Sequence, residues 1–281
     1  MTSKMLNIRS VLNLVNDSDL AYLFRSCVAS KHVEDNSVYR TVASKTVFVP
    51  DMDDGTLNAY ASRPGENYQI QVLGGLVNWV GHFAFIKTLF DAGMPVEKIA
   101  KMAEWTRAYI MSEGLSTAVI SSITKYMVSS VKIDFAKYKV DSDGFNERWR
   151  SNLLDSVHAC IAHELGHLCL GHCDTDGYDG TIMSSNRNIE RQADLFSFSV
   201  LQCGTGVAAK SVGAVLLMAS FFCLHPDTGE DGGTHPTSSE RIENAIQSFQ
   251  GIISHKDVDM IRKMVVVMAK AKKPKRKPRM V

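Results

Sequence analysis

Apolar residues recur at spacings of three and four through Leu154, Val157, Ile161, Leu165 and Leu168, which marks one buried stripe along a helix. The turn Asp141-Ser142-Asp143-Gly144 precedes it, so the pattern predicts a helix starting at Phe145 or Asn146. Two β-branched runs, 46–50 and 68–73, predict a strand pair joined through the turn-forming segments DMDDG and SRPGEN. Residues 79–140 read mainly as helices, with Pro95 suited to a first helical turn. Within them, the β-branched stretch LSTAVISSITKYMVSSVKI fits helix or strand equally. Val207 to Leu224 is strongly apolar but interrupted by Lys210, so the unbroken run is only Ser211 to Leu224. That is short of the roughly 20 residues needed to span a bilayer, and it predicts a buried core helix rather than a transmembrane segment.

The predicted central helix carries His163-Glu164-Leu165-Gly166-His167, an H-E-x-x-H box. At about 100° per residue, His163 and His167 share one face, roughly opposite the apolar stripe. Two imidazoles so placed can close on one Zn2+ ion, with Glu164 between them aimed at the water the metal holds. A catalytic zinc site needs a third protein ligand. A metzincin continuation would need Gly at 170 and His at 173, where this chain has Leu170 and Cys173. His172 lies about 140° further round the helix than His167 and could ligate only if Gly171 breaks it; otherwise it is a helix-end histidine near the C-terminal dipole. The stronger candidate is Glu190, which with Asp194 forms an i, i+4 pair 23 residues beyond the box. Glu190 would ligate, and Asp194 would orient a ligating imidazole through its second ring nitrogen.

With these blocks in order, the chain resembles a gluzincin metallopeptidase, most closely the HtpX and CAAX-prenyl-protease family. The resemblance rests on HELGH (163–167), ERQAD (190–194) and THPTSSER (234–241), with KTVFVPDMDDGTLNAYA (45–61) and QIQVLGGLV (69–77) similar to the family's upstream strands and helix start. It implies an α+β, zincin-like fold: a small twisted sheet packed on the active-site helix, plus a largely helical insertion. It also implies peptide hydrolysis with one catalytic Zn2+ held by His163, His167 and Glu190, and Glu164 as general base. His235 would hydrogen-bond the developing oxyanion, and Arg241 would orient or charge that corner; a surface ion pair is the other reading of Arg241. Asn58, Ala59 and Tyr60 would bind an extended substrate at a strand edge. The chain departs from the family in the length between the strands and the active helix, and in lacking the family's several membrane spans. A more distant resemblance is to the Lit-type phage-exclusion peptidase, which cleaves a translation factor.

The expected organisation is an N-terminal helical segment (1–44), the sheet region (45–78), the helical insertion (79–144), the catalytic core (145–255), and a C-terminal helix with a disordered basic tail (256–281). His82 and Trp105 in the insertion read as core or rim positions. Six cysteines show no C-x-x-C pair, and Cys169 and Cys173 fit buried thiols better than a second soft metal site. Met1 to Leu20 carries four charges and no apolar run, so a reducing cytoplasm is expected. The net charge of +1 conceals seven positive charges among the last twelve residues, Lys270 to Arg279. That tail could contact nucleic acid or an anionic surface, or serve as a solvated tail without aromatic residues for base stacking. Two other function classes remain beside the peptidase: a silent module that uses metal for folding, and a nucleic-acid-associated factor acting through the tail.

Overall fold

Asn16 opens the first helix through a capping box: its side chain accepts from the Asp19 N–H at 3.1 Å, and the Asp19 carboxylate accepts from the Asn16 N–H at 3.1 Å. The computed structural model describes residues 14–130, 142–174, 187–224 and 237–272. Helices α1 (Asp17–Val28), α2 (Lys31–Glu34) and α3 (Ser37–Ser44) lead into the sheet. Strands β1 (Thr46–Asp51), β2 (Ala59–Ser62) and β3 (Tyr68–Leu73) form a three-stranded sheet in the order β1-β3-β2.

The predicted strand pair is present, but not as a simple turn-linked pair. β1 runs parallel to β3, Thr46 opposite Tyr68, and the segment between them contributes β2, antiparallel to β3 with Ala61 opposite Ile70. Parallel neighbours need a crossover, and β2 supplies it. Tyr68, Ile70 and Val72 alternate inward along β3, the period of a half-buried strand.

Among the described residues, the sheet is followed by α4 (Gly74–Asp91), α5 (Val96–Glu113), α6 (Thr117–Ser130) and α7 (Ser142–Cys169). The ambiguous stretch is helical from Thr117 to Ser130, and burial of Ile120, Ile123 and Met127 at helical spacing shows which period prevails. α7 begins at Ser142, earlier than Phe145, so Ser142 to Gly144 form its first turn rather than a preceding turn. Asp143 in that turn faces the positive end of the helix dipole, which favours extension. The boundaries expected at 78 and 144 fall inside α4 and α7, and helices of the insertion pack into the same hydrophobic core as the catalytic segment.

α7 is the centre of the molecule. Every residue from Ser156 to Cys169 is buried, including Val157, Ile161, Leu165 and Leu168 of the expected stripe; Leu154 is only half-buried, and its neighbour Leu153 takes the core position instead. Against it pack α1, α4, α8 (Arg187–Leu201) and α9 (Val207–Leu224), while β2 and β3 cover another side. Helices α10 (Ser238–Ser248) and α11 (His255–Lys270) complete the described chain behind α9. Among the described residues, α9 alone is long and apolar enough to cross a membrane by length and composition, and most of it is buried inside the protein. The architecture is α+β, mostly helical with one small mixed sheet.

Candidate metal centre

His163 and His167 sit one turn apart on α7, and their Nε2 atoms approach to 3.1 Å. Glu190, on the first turn of α8, brings its two oxygens to 3.4 Å from His163 Nε2 and 3.6 Å from His167 Nε2. All three residues are buried, and their donor atoms lie within 4.8 Å of one another. Tetrahedral zinc with arms of about 2.0–2.1 Å separates neighbouring donors by about 3.3 Å. The observed spacings bracket that value, so the donor set fits the ion implied by the box. Among the described residues this is the one group of three or more His, Cys, Asp or Glu side chains placed to hold a metal.

Gly166 makes this convergence sterically feasible. A Cβ at residue 166 would stand 3.1 Å from Phe196 Cδ1 and 3.2 Å from the Ala193 carbonyl oxygen. The bare backbone therefore lets α8 approach closely enough to place Glu190 beside the two histidines. Sequence reasoning passed over Gly166 because the H-E-x-x-H pattern leaves that position unspecified.

Behind His163, its Nδ1 stands 2.9 Å from Asp194 Oδ1. Arg241 donates to both oxygens of Asp194, from Nε at 2.8 Å and Nη2 at 2.6 Å. Burial pushes the Asp194 carboxyl up, but Arg241 and His163 outweigh it and hold it below its ordinary range. Burial likewise lowers the His163 imidazole, yet the bonds to Asp194 and Glu190 prevail and raise it to about 10. His167 lacks such a carboxylate arm; burial and the neighbouring His163 push it down to about 3. Arg241 is largely buried, which excludes the surface ion pair considered from sequence. Its guanidinium grips Asp194, whose Oδ1 is shared between Arg241 Nη2 and His163 Nδ1.

Glu164 follows His163 on α7 and is buried, with the backbone N–H of Ala61 on β2 near enough to favour its charged form. Burial pushes its carboxyl up to about 7, with His163 pulling the other way. A carboxyl held near neutrality can take and return a proton.

The three expected substrate residues differ in what they present. The Asn58 carbonyl accepts from the Leu73 N–H at 3.2 Å, so Asn58 faces β3. Given the pairing of Tyr60 with Gln71, alternation turns the main chains of Asn58 and Tyr60 toward β3 and those of Ala59 and Ala61 toward the other edge of β2, where no described strand pairs. The Tyr60 hydroxyl donates to Gln71 Oε1. Ala61 is thus an edge residue that the sequence reading left out.

His172 follows Gly171, whose φ of +73° ends α7. Its ring is buried against His167, with Nδ1 3.1 Å from His167 Nδ1 and Nε2 3.1 Å from Gln192 Oε1. His82 lies in the core between Thr124 and Thr106, each 3.0 Å away. Trp105 is partly buried and stacks on Tyr126. Cys169 and Cys173 are buried, and neither is in a disulfide. His235 and the tail beyond Lys272 lie outside the described residues.

Residues 141–262 match the family model of Peptidase U49. The matched segment holds α7 to α10, and with them the box, Glu190, Asp194 and Arg241, but it covers less than half of the chain and stops short of the sheet. At that coarse level the match supports a peptidase; the matched family is itself a Lit-type one, the more distant of the two resemblances, and the match does not extend to the HtpX and CAAX-prenyl-protease family. No curated protein and no solved structure matches the chain.

Proposed function

We propose that the protein is a zinc-dependent endopeptidase. The observation that carries this reading is the buried group of His163, His167 and Glu190 with the Glu164 carboxylate beside it. Bound there, zinc would supply Lewis acidity and lower the pKa of water. The chain's own groups do the rest. The outward main-chain groups of Ala59 and the outward carbonyl of Ala61 align an extended peptide along the edge of β2. Glu164 takes a proton from the attacking water and returns it to the leaving amine. Asp194, anchored by Arg241, keeps the His163 proton on Nδ1 and leaves Nε2 free to ligate. His235 is proposed, from sequence alone, as the oxyanion partner. Six cysteines without a disulfide among them are in keeping with action in a reducing cytoplasm.

The family match favours a narrow protein substrate of the host-defence kind over general proteolysis. A silent, structural zinc module is disfavoured because three protein ligands beside a buried carboxylate describe an open site.

Glu164→Gln separates these readings. The variant should keep zinc, measured by elemental analysis, and lose cleavage, measured by comparing protein termini in cells carrying either form. Equal sets of termini from the two forms would defeat the peptidase reading. Loss of fold together with metal would support the structural module.

A further inference from the structure

His172 stands at the end of α7, where its N–H bonds the His167 carbonyl at 2.9 Å, but its ring does more than face the helix dipole. Gly171 breaks α7 as a ligating His172 would require, yet the ring turns behind His167 instead of joining the donors. The His167 and His172 rings meet edge-on, their centroids 5.1 Å apart, with the two Nδ1 atoms 3.1 Å from each other.

Two ring nitrogens can share a hydrogen bond only if one carries the proton and the other a lone pair. His167 Nε2 faces His163 Nε2 at 3.1 Å and Glu190 Oε1 at 3.6 Å, which is the ligand side. If that nitrogen ligates, its lone pair is committed there, and the His167 proton resides on Nδ1. His172 Nδ1 must then accept, so the His172 proton moves to Nε2. Gln192 Oε1, 3.1 Å from that nitrogen, is an acceptor in the right place. Every proton in the chain is thereby assigned without conflict.

We infer that His172, itself held by Gln192, is the positioning residue that fixes the tautomer and ring orientation of His167. It is the counterpart of Asp194 with Arg241 behind His163. The inference rests on the zinc reading above. α8 then supplies a ligand at Glu190 and a member of both supporting arms at Gln192 and Asp194. The arms differ in charge: an anionic carboxylate backs His163 and a neutral imidazole backs His167, so the two ligands differ in basicity.

The test uses the full chain. Zinc affinity is measured by competition with a fluorescent chelator, and fold by circular dichroism and melting of the metal-free protein. His172→Phe keeps a ring without a nitrogen and should weaken zinc binding by about 10–100-fold at unchanged metal-free melting. His172→Asn, which returns an acceptor near the place of Nδ1, should restore most of the affinity. Cobalt-loaded His172→Phe should show a shifted visible spectrum that His172→Asn reverses. In zinc-loaded wild type, side-chain nitrogen NMR should find His167 protonated at Nδ1 and His172 at Nε2, a readout that needs no variant to fold. A His172 protonated at Nδ1, or wild-type zinc affinity in His172→Phe, overturns the inference and leaves the zinc reading standing. Folded wild type that takes up no zinc overturns the zinc reading, and this inference with it.

Discussion

Arg241 donates to both oxygens of Asp194, at 2.8 and 2.6 Å, so that α10 is locked onto the carboxylate behind a candidate metal ligand. The pair is buried, and its energetic weight lies in what happens when one partner is removed. Arg241→Ala leaves a buried carboxylate facing only His163 and is expected to cost about 3–5 kcal/mol. Arg241→Lys keeps the charge but loses the two-pronged geometry and should fall between. Denaturant unfolding of the metal-free protein measures both. An alanine variant as stable as wild type would show that the pair carries no weight in the fold.

Gly166→Ala tests the close approach of α7 and α8. The added Cβ meets Phe196 and the Ala193 carbonyl, and the backbone partner cannot swing aside as a flexible side chain could. The expected cost is about 1–3 kcal/mol, with weaker zinc binding because Glu190 rides on the displaced helix. Unchanged melting and unchanged zinc affinity together would refute this role.

His82 gives the fold a pH dependence of defined sign. Burial pushes its imidazole down to about 3 from the ordinary 6.5. The unfolded chain therefore takes up the proton first, and the stability present above pH 6.5 drains away as the pH falls toward 3. The slope is about 1.4 kcal/mol per pH unit, which amounts to about 2 kcal/mol between pH 7 and pH 5. In His82→Leu, Thr106 and Thr124 keep their bonds to the Met102 and Ile120 carbonyls, and this contribution disappears. Wild type should therefore lose stability on acidification faster than the variant; parallel curves would contradict it.

Ala59→Pro addresses the outer edge of β2. The Ala59 N–H points away from β3, so proline removes no ladder bond there and is tolerated on an edge. Melting and zinc content should stay near wild type, while KM for an extended peptide rises. Tyr60→Pro, by contrast, deletes an inward donor opposite Gln71 and should lower melting. Equal kinetics in wild type and Ala59→Pro would remove this edge from substrate binding.

Local periodicity made much of the centre legible. The spacing of His163 to His167, and of Glu190 to Asp194, puts each pair on one helix face whatever surrounds it. The apolar stripe of α7 and the runs of β1 and β3 were equally readable, because they repeat with the period of the element they form. The stretch forming α6 was not, since β-branched residues suit either period until packing selects one. β2 was hidden too: four residues cannot show whether they pair with the strand before or after them.

The sequence by itself determined which side chains share a helix face and therefore which pairs could act together. Only the tertiary structure decided which pairs meet. It brought Glu190 to the box across Gly166, set Arg241 against Asp194, turned His172 behind His167, and placed Glu164 near Ala61 of the edge strand. Each of these depends on packing between segments far apart in the chain or on the path taken after a helix ends, and helical or strand period encodes neither.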